Sequence, residues 1–347
     1  MARLRRVSIT SPGLTRVRCG KGFRYLDAGG RPVTDAVVLD RIMALVLPPA
    51  WTEVWICPVA SGHVQATGLD AAGRRQYRYH DQWRLQQDLV KHERVLAFGA
   101  VLPHVRAAVR TDLAGAGLRR RRVLSCAVRL LDLGFFRIGS EQYAAQNGSF
   151  GLATMRKEHV TVASNGTVTF DYIAKSGKHR VQSLVEPEVG AVVQALKRRR
   201  GGGPELLAFR DGERWVDVKS TDINAHLQEL SDGDFTAKDF RTWSATVLAA
   251  VGFAVSTDAA ASATARRRAV TRVVQEVAHY LGNTPAVCRA SYIDPRLIDL
   301  YDAGVTIASE LRLLGEDAAY GQPATQGAIE AAVLRLLRAP ERQALAG

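Results

Sequence analysis

Between residues 54 and 79, apolar and polar positions alternate in three short runs: Val54 to Val59, Val64 to Leu69 and Gln76 to Tyr79. A period of two puts one strand face inside and the other in solvent. Each run therefore predicts a β-strand, with Gly62 and Asp70 to Gly73 as turns between them. Upstream, Val37 to Leu47 reads as a short apolar helix stopped by Pro48-Pro49. From Asp81 the pattern changes. Leu85, Leu89, Val95 and Leu96 punctuate a polar stretch that predicts helix to about Arg110. Arg119 to Arg122 then open an apolar helix carrying Val128, Leu130, Leu131, Leu133, Phe135 and Phe136, with Arg137 at its end.

A β-meander comes next. Val160 and Val162 alternate with polar residues, Asn165-Gly166 is a hairpin turn, and Val168, Phe170 and Tyr172 alternate again. Lys175-Ser176-Gly177-Lys178 supplies a second turn, Gly201 to Pro204 a loop, and everything after it reads as helix to the end. Thr236-Ala237-Lys238-Asp239 has capping-box form ahead of an apolar face of Phe240, Trp243, Val247, Leu248 and Val251. A later face of Val270, Val273, Val274, Val277, Tyr280 and Leu281 ends at Gly282, and Thr284-Pro285 starts another helix. Asn283 falls between these two helices, and Pro295 stops the second just after Tyr292. The order predicts an α+β chain: a small, mainly-β N-terminal domain over residues 1–90 and a larger, mostly α-helical domain over 91–347 with a short antiparallel sheet. A length of 347 residues fits two domains at roughly 150 residues each.

Composition narrows the class. With 47% hydrophobic and 23% charged residues, the chain can bury a core. No stretch approaches the ~20 apolar residues of a membrane span, so no membrane association is expected. Met1 to Arg6 is basic without the apolar segment of a signal peptide. The cysteines, Cys19, Cys57, Cys126 and Cys288, lie too far apart for zinc spacing or a disulfide scaffold, which points to a reducing cytoplasm and no metal site. The net charge of +13 calls for a polyanionic partner, with nucleic acid the commonest. Residues 1–90 hold 13 Lys and Arg against 7 Asp and Glu, about half of that excess in a quarter of the chain.

No phosphate-binding glycine loop, nucleophile elbow or metalloprotease motif is present, so neither ATP nor any other cofactor is expected. What remains is a scattered set: Arg137, Lys175, Arg241, Asn283 and Tyr292. Singly, each has a structural reading as a helix-end cation, a solvated turn residue, an ion-pair partner, a cap or a half-buried core residue. The strings around them change the weighing. Leu281-Gly282-Asn283-Thr284-Pro285 leads to Tyr292, nine residues after Asn283. Lys238-Asp239-Phe240-Arg241-Thr242-Trp243 surrounds one arginine, and Phe136-Arg137-Ile138-Gly139, with Tyr143 six residues on, surrounds the other. Asn147 to Thr154 precedes the meander, and Tyr172-Ile173-Ala174-Lys175 closes on a turn. Near the N-terminus stand Val64-Gln65-Ala66-Thr67-Gly68-Leu69-Asp70 and Gly73-Arg74-Arg75-Gln76-Tyr77-Arg78-Tyr79.

In this order the strings resemble the type IB DNA topoisomerases, in their poxvirus and bacterial branch, from about residue 20 to about residue 300. The resemblance implies a fold of the tyrosine recombinase/topoisomerase IB type and relaxation of supercoils of either sign through a 3′-phosphotyrosyl link. It assigns Tyr292 as nucleophile, Arg137, Arg241 and Asn283 as phosphate ligands, and Lys175 as general acid. It places Arg74, Arg75, Gln76, Tyr77, Tyr79 and Tyr143 against duplex DNA, held in a clamp by a monomer associated with the nucleoid. One position departs: poxviral and eukaryotic relatives usually carry His where this chain has Asn283, which can donate a hydrogen bond but holds no charge. Two alternatives stay open. A tyrosine recombinase or integrase shares the Leu-Gly-His signature echoed by Leu281-Gly282-Asn283, and a non-catalytic DNA-compacting protein accounts for the charge.

Overall fold

The computed structural model describes residues 3–257, 262–314 and 325–344. The chain divides into two compact units, Met1–Glu93 and Arg94–Gly347. Among the described residues, no helix is long and apolar enough to cross a membrane.

The first unit is built on an antiparallel sheet of β1 (Leu14–Cys19), β2 (Gly22–Leu26), β3 (Thr52–Ile56), β4 (Val64–Leu69) and β5 (Arg75–Tyr79), in the order β2-β1-β3-β4-β5. Helix α1 (Ala36–Ala44) is capped by Asp35, whose carboxylate accepts from the Val37 amide at 2.8 Å. It sends Ile42 into a core with Leu14, Val54, Ile56 and Ala66. The three strands expected here are present. Strands β1 and β2 were not foreseen, because their alternation runs through arginines and only Leu14 of β1 is fully buried.

Helix α2 (Asp81–Leu113) leads from the first unit into the second. Then come α3 (Arg120–Gly134), α4 (Glu141–Asn147), a sheet of β6 (Val160–Val162), β7 (Thr167–Ala174) and β8 (Lys178–Val185), and α5 (Pro187–Arg198). A separate hairpin, β9 (Ala208–Asp211) and β10 (Arg214–Asp217), interrupts the region expected to be wholly helical. Its signal is the Asp211-Gly212 turn between alternating residues. Helices α6 (Ser220–Ser231), α7 (Ala237–Val255), α8 (Ala263–Leu281), α9 (Pro285–Ser291), α10 (Arg296–Asp302), α11 (Ala308–Leu314) and α12 (Ala328–Ala344) complete the unit. The helix expected over 315–324 and 345–347 lies outside the described residues.

A second correction concerns the approach to Arg137. Helix α3 stops at Gly134 because Phe135 turns left-handed (φ 53°), so Phe136 and Arg137 lie in extended chain beyond it. Phe136 is still buried, edge-on to Phe170 of β7 at 4.9 Å, which anchors this segment on the sheet.

A buried charge network joins α2, α3, α7 and α12. Arg106 forks onto Asp132 at 2.8 Å and onto Glu330 at 2.5 Å, and Glu330 also accepts from the Trp243 indole at 2.8 Å. Trp243 sits on the helix that carries Arg241, so α12 braces that helix from behind. Glu330→Ala leaves the Arg106 and Trp243 donors short of an acceptor in the interior. We expect a loss of about 3–5 kcal/mol in urea unfolding of the second unit, the usual effect of removing one partner of a buried pair. A loss below ~1 kcal/mol would show that Glu330 is not holding the network together.

Candidate active site

The site is organised around the C-terminus of α8. A helix leaves its last carbonyls without internal partners, and here three arginines from three other segments receive them. Arg180 of β8 donates to the Tyr280 carbonyl at 2.8 Å. Arg241 of α7 donates to Leu281 at 2.8 Å, and Arg137 to Gly282 at 3.3 Å. Arg137 also donates to the Asn283 side-chain oxygen. Gly282 takes the left-handed conformation that ends α8 (φ 64°), and Thr284 then caps α9, accepting from the Val287 amide at 3.4 Å.

Arg137 is placed by a close crossing of two backbones. The amides of Leu152 and Ala153 donate to the Arg137 and Ile138 carbonyls, each at 2.8 Å. Gly139 and Gly151 meet where a Cβ on Gly151 would lie 2.5 Å from the Gly139 Cα. The Phe136–Gly139 string and the Asn147–Thr154 string, separate in sequence, are therefore one local structure.

Arg241 is only 4% exposed and also donates to the Phe135 carbonyl that the α3 break sets free. Burial and the neighbouring Arg137 charge push its guanidinium down to about 10, still charged at neutral pH. Its guanidinium carbon lies 5.4 Å from the centre of the Tyr292 ring. Burial raises the Tyr292 phenol, but Arg241, then Arg137 and Lys238, outweigh it and hold the phenol below its ordinary value. Two buried donors here make no hydrogen bond: the side-chain nitrogen of Asn283 and Nε of Arg241.

Arg137, Lys175, Arg241 and Tyr292 line one cavity of about 300 Å³ together with Tyr143 and Lys238. Lys175 is exposed at the tip of the β7–β8 hairpin, where Ser176 and Gly177 both have positive φ (67° and 70°). Tyr143 stands on α4, capped by Ser140. Asn283 lies beside the cavity, attached through Arg137.

Residues Arg74, Arg75, Gln76, Tyr77 and Tyr79 belong to the first unit, on β5 and the turn before it. Strand alternation separates them. Tyr77 and Tyr79 share one face, with rings stacked at 5.8 Å, and Gln76 takes the other. Asp70 organises the turn: it pairs with Arg74 at 2.8 Å and accepts from the Gln76 amide at 2.9 Å. The Arg74 hydrogen bonds, with those from backbone amides, hold the Asp70 carboxyl down at about 2.

Sequence reasoning missed two cavity-region cations. Lys238 precedes Arg241 by three residues, and helical spacing carried that signal. Arg180 gave no local signal, since its partner lies 100 residues away.

Residues 80–304 match the family described as eukaryotic DNA topoisomerase I, catalytic core, and residues 22–70 match the bacterial DNA topoisomerase IB N-terminal domain. The DNA topoisomerase 1B of Acanthamoeba polyphaga mimivirus is 28% identical over 298 residues, spanning 83% of this chain and 87% of that protein. DNA topoisomerase 1 of Schizosaccharomyces pombe is 30% identical over 161 residues, 46% of this chain and 19% of that protein. DNA topoisomerase I of Monkeypox virus is 19% identical over 272 residues, 77% of each chain.

Proposed function

The chain belongs to the type IB DNA topoisomerase family, and from that membership we propose how the residues around the cavity divide the work. The enzyme relaxes positive and negative supercoils in double-stranded DNA. It cuts one strand through a 3′-phosphotyrosyl intermediate and reseals it, without ATP or metal. The covalent link keeps the phosphodiester energy, so resealing is the cut run backwards.

Tyr292 is the nucleophile. Its Oη bonds to phosphorus as the P–O5′ bond breaks, and the phenolic proton passes to water. Arg137 and Arg241 present forked donors to the non-bridging oxygens, where charge builds in the transition state. Asn283 adds a neutral donor through its unpartnered nitrogen. Lys175 protonates the departing O5′. What supports the reading is one observation: Arg137, Lys175, Arg241 and Tyr292, from four separate segments, line a single cavity.

The first unit contributes binding. Arg74 and Arg75 meet phosphates, while β5 meets the groove with Gln76 on one face and the Tyr77–Tyr79 pair on the other. Asp70 already takes one Gln76 amide hydrogen, which leaves the second hydrogen and the carbonyl oxygen for a base edge. Tyr143 contacts DNA from the cavity wall. Both units hold the duplex as a clamp, and the enzyme acts as a monomer in the nucleoid. The recombinase reading calls for a helical N-terminal domain, whereas the first unit is built on a five-stranded sheet. A DNA-compacting protein needs no such cavity.

The test is supercoiled plasmid in EDTA without ATP, with expected products of relaxed topoisomers and a covalent protein–DNA adduct. Relaxation that depends on paired target sites would instead indicate a recombinase, and plasmid retardation without an adduct a compacting protein. For Lys175→Ala, cleavage of ordinary DNA should fall about 10²- to 10⁴-fold. A duplex with sulfur at the 5′-bridging position should recover most of that rate, because a thiolate, with a thiol pKa of about 8.5, leaves without a proton. Equal slowing on both substrates would exclude Lys175 as the acid.

A further inference from the structure

Of the three arginines on the α8 carbonyls, two act on the phosphate in the reading above, and Arg180 has no assigned part. Arg180 stands on β8, five residues beyond Lys175 and opposite Tyr172 in the hairpin register. Its neighbours on the strand, His179 and Val181, face solvent, while Arg180 turns inward and is half-buried. One Nη donates to Tyr280 at 2.8 Å. The other lies so close to Gly282 that a Cβ there would stand 2.3 Å from it. The guanidinium therefore packs on the backbone of the α8–α9 turn, and glycine at 282 makes the approach possible.

This contact joins two parts of the site that are otherwise far apart in the chain. Helix α8 ends beside Asn283 and leads to Tyr292, and the hairpin tip carries Lys175. The tip is exposed, and Lys175 itself has a long, flexible side chain. General acid catalysis needs its ammonium within hydrogen-bond reach of one oxygen. We propose that Arg180 is a positioning residue for cleavage: by fixing the β7–β8 hairpin against the C-terminus of α8, it sets the reach of the Lys175 ammonium to the leaving O5′. This rests on Lys175 being the general acid.

The test is single-turnover cleavage of a duplex oligonucleotide, in its all-oxygen form and with 5′-bridging sulfur, by wild type, Arg180→Ala, Arg180→Lys and Lys175→Ala. A misplaced catalytic group costs up to about 100-fold, so Arg180→Ala should slow the all-oxygen duplex about 10- to 100-fold. The sulfur duplex should be cleaved at close to the wild-type rate. Arg180→Lys keeps a cation and guards against a folding defect, and it should show the same selective slowing in smaller measure. The double variant Lys175→Ala/Arg180→Ala should be no slower than Lys175→Ala alone. Equal slowing on both duplexes would mean that Arg180 only stabilises the fold, and the proposal would fall, as it would if the all-oxygen rate did not change. If sulfur rescues Lys175→Ala but not Arg180→Ala, only this inference fails. If sulfur does not rescue Lys175→Ala either, the assignment of the acid fails with it.

Discussion

Replacing Tyr292 with Phe should abolish plasmid relaxation and the covalent adduct while leaving the fold and DNA binding in place. The substitution removes one oxygen. The ring stays, so the contact under the Arg241 guanidinium at 5.4 Å is kept. The backbone bonds that fix the residue, its amide to the Cys288 carbonyl at 3.0 Å and its carbonyl from the Thr246 hydroxyl at 3.3 Å, do not involve the phenol. Without the nucleophile there is no first step, and the loss should reach about six orders of magnitude, the scale seen when other covalent enzymes lose theirs. Denaturing gels of radiolabelled duplex give the measurement. An adduct formed by the Phe variant would reassign the nucleophile, and Tyr143, on the same cavity wall, would be the residue to map first.

Arg241→Ala should lower the cleavage rate about 10²- to 10³-fold, as loss of one preorganised transition-state donor does elsewhere. It should also move the pH dependence. Arg241 is the foremost of the cations holding the Tyr292 phenol below its ordinary value against the effect of burial. In wild type the phenol therefore ionises at lower pH than a free tyrosine. Removing Arg241 raises the phenol, so the rising limb of the rate profile shifts to higher pH. Arg137→Ala should lower the rate comparably but shift the limb less, because its charge ranks behind Arg241 at the phenol. Single-turnover cleavage across pH separates the two. A profile unmoved in Arg241→Ala would mean that Arg241 serves the phosphate alone.

Much of this site was legible in the sequence because its pieces are local. Gly282 followed by Thr284-Pro285 announces one helix end and one helix start, and the segment between them carries Asn283 in any fold that keeps both. Asn165-Gly166 announces the turn from β6 to β7, and Ser176-Gly177 the β7–β8 hairpin that presents Lys175. The parts that escaped depend on contacts made across the fold. Phe135-Phe136 continues an apolar helix on paper, and only the Arg241 side chain bonded to the Phe135 carbonyl gives the left-handed break a role. Arg180 looks like any strand arginine until Tyr280 is brought to it. The family resemblance groups Gln76 with Tyr77, although a period of two sets strand neighbours on opposite faces.

The way the three arginines are held has an electrical consequence. Among the described residues, no carboxylate lies within ion-pair distance of Arg137, Arg180 or Arg241, whereas Arg106 is matched by both Asp132 and Glu330. Neutral carbonyls fix the site's guanidiniums without cancelling them. The counterweight they do have among the described residues is the end of a helix, worth roughly half an elementary charge. On the proposed reading, a phosphodiester entering the cavity meets Arg137 and Arg241 guanidiniums that no carboxylate among the described residues has already neutralised.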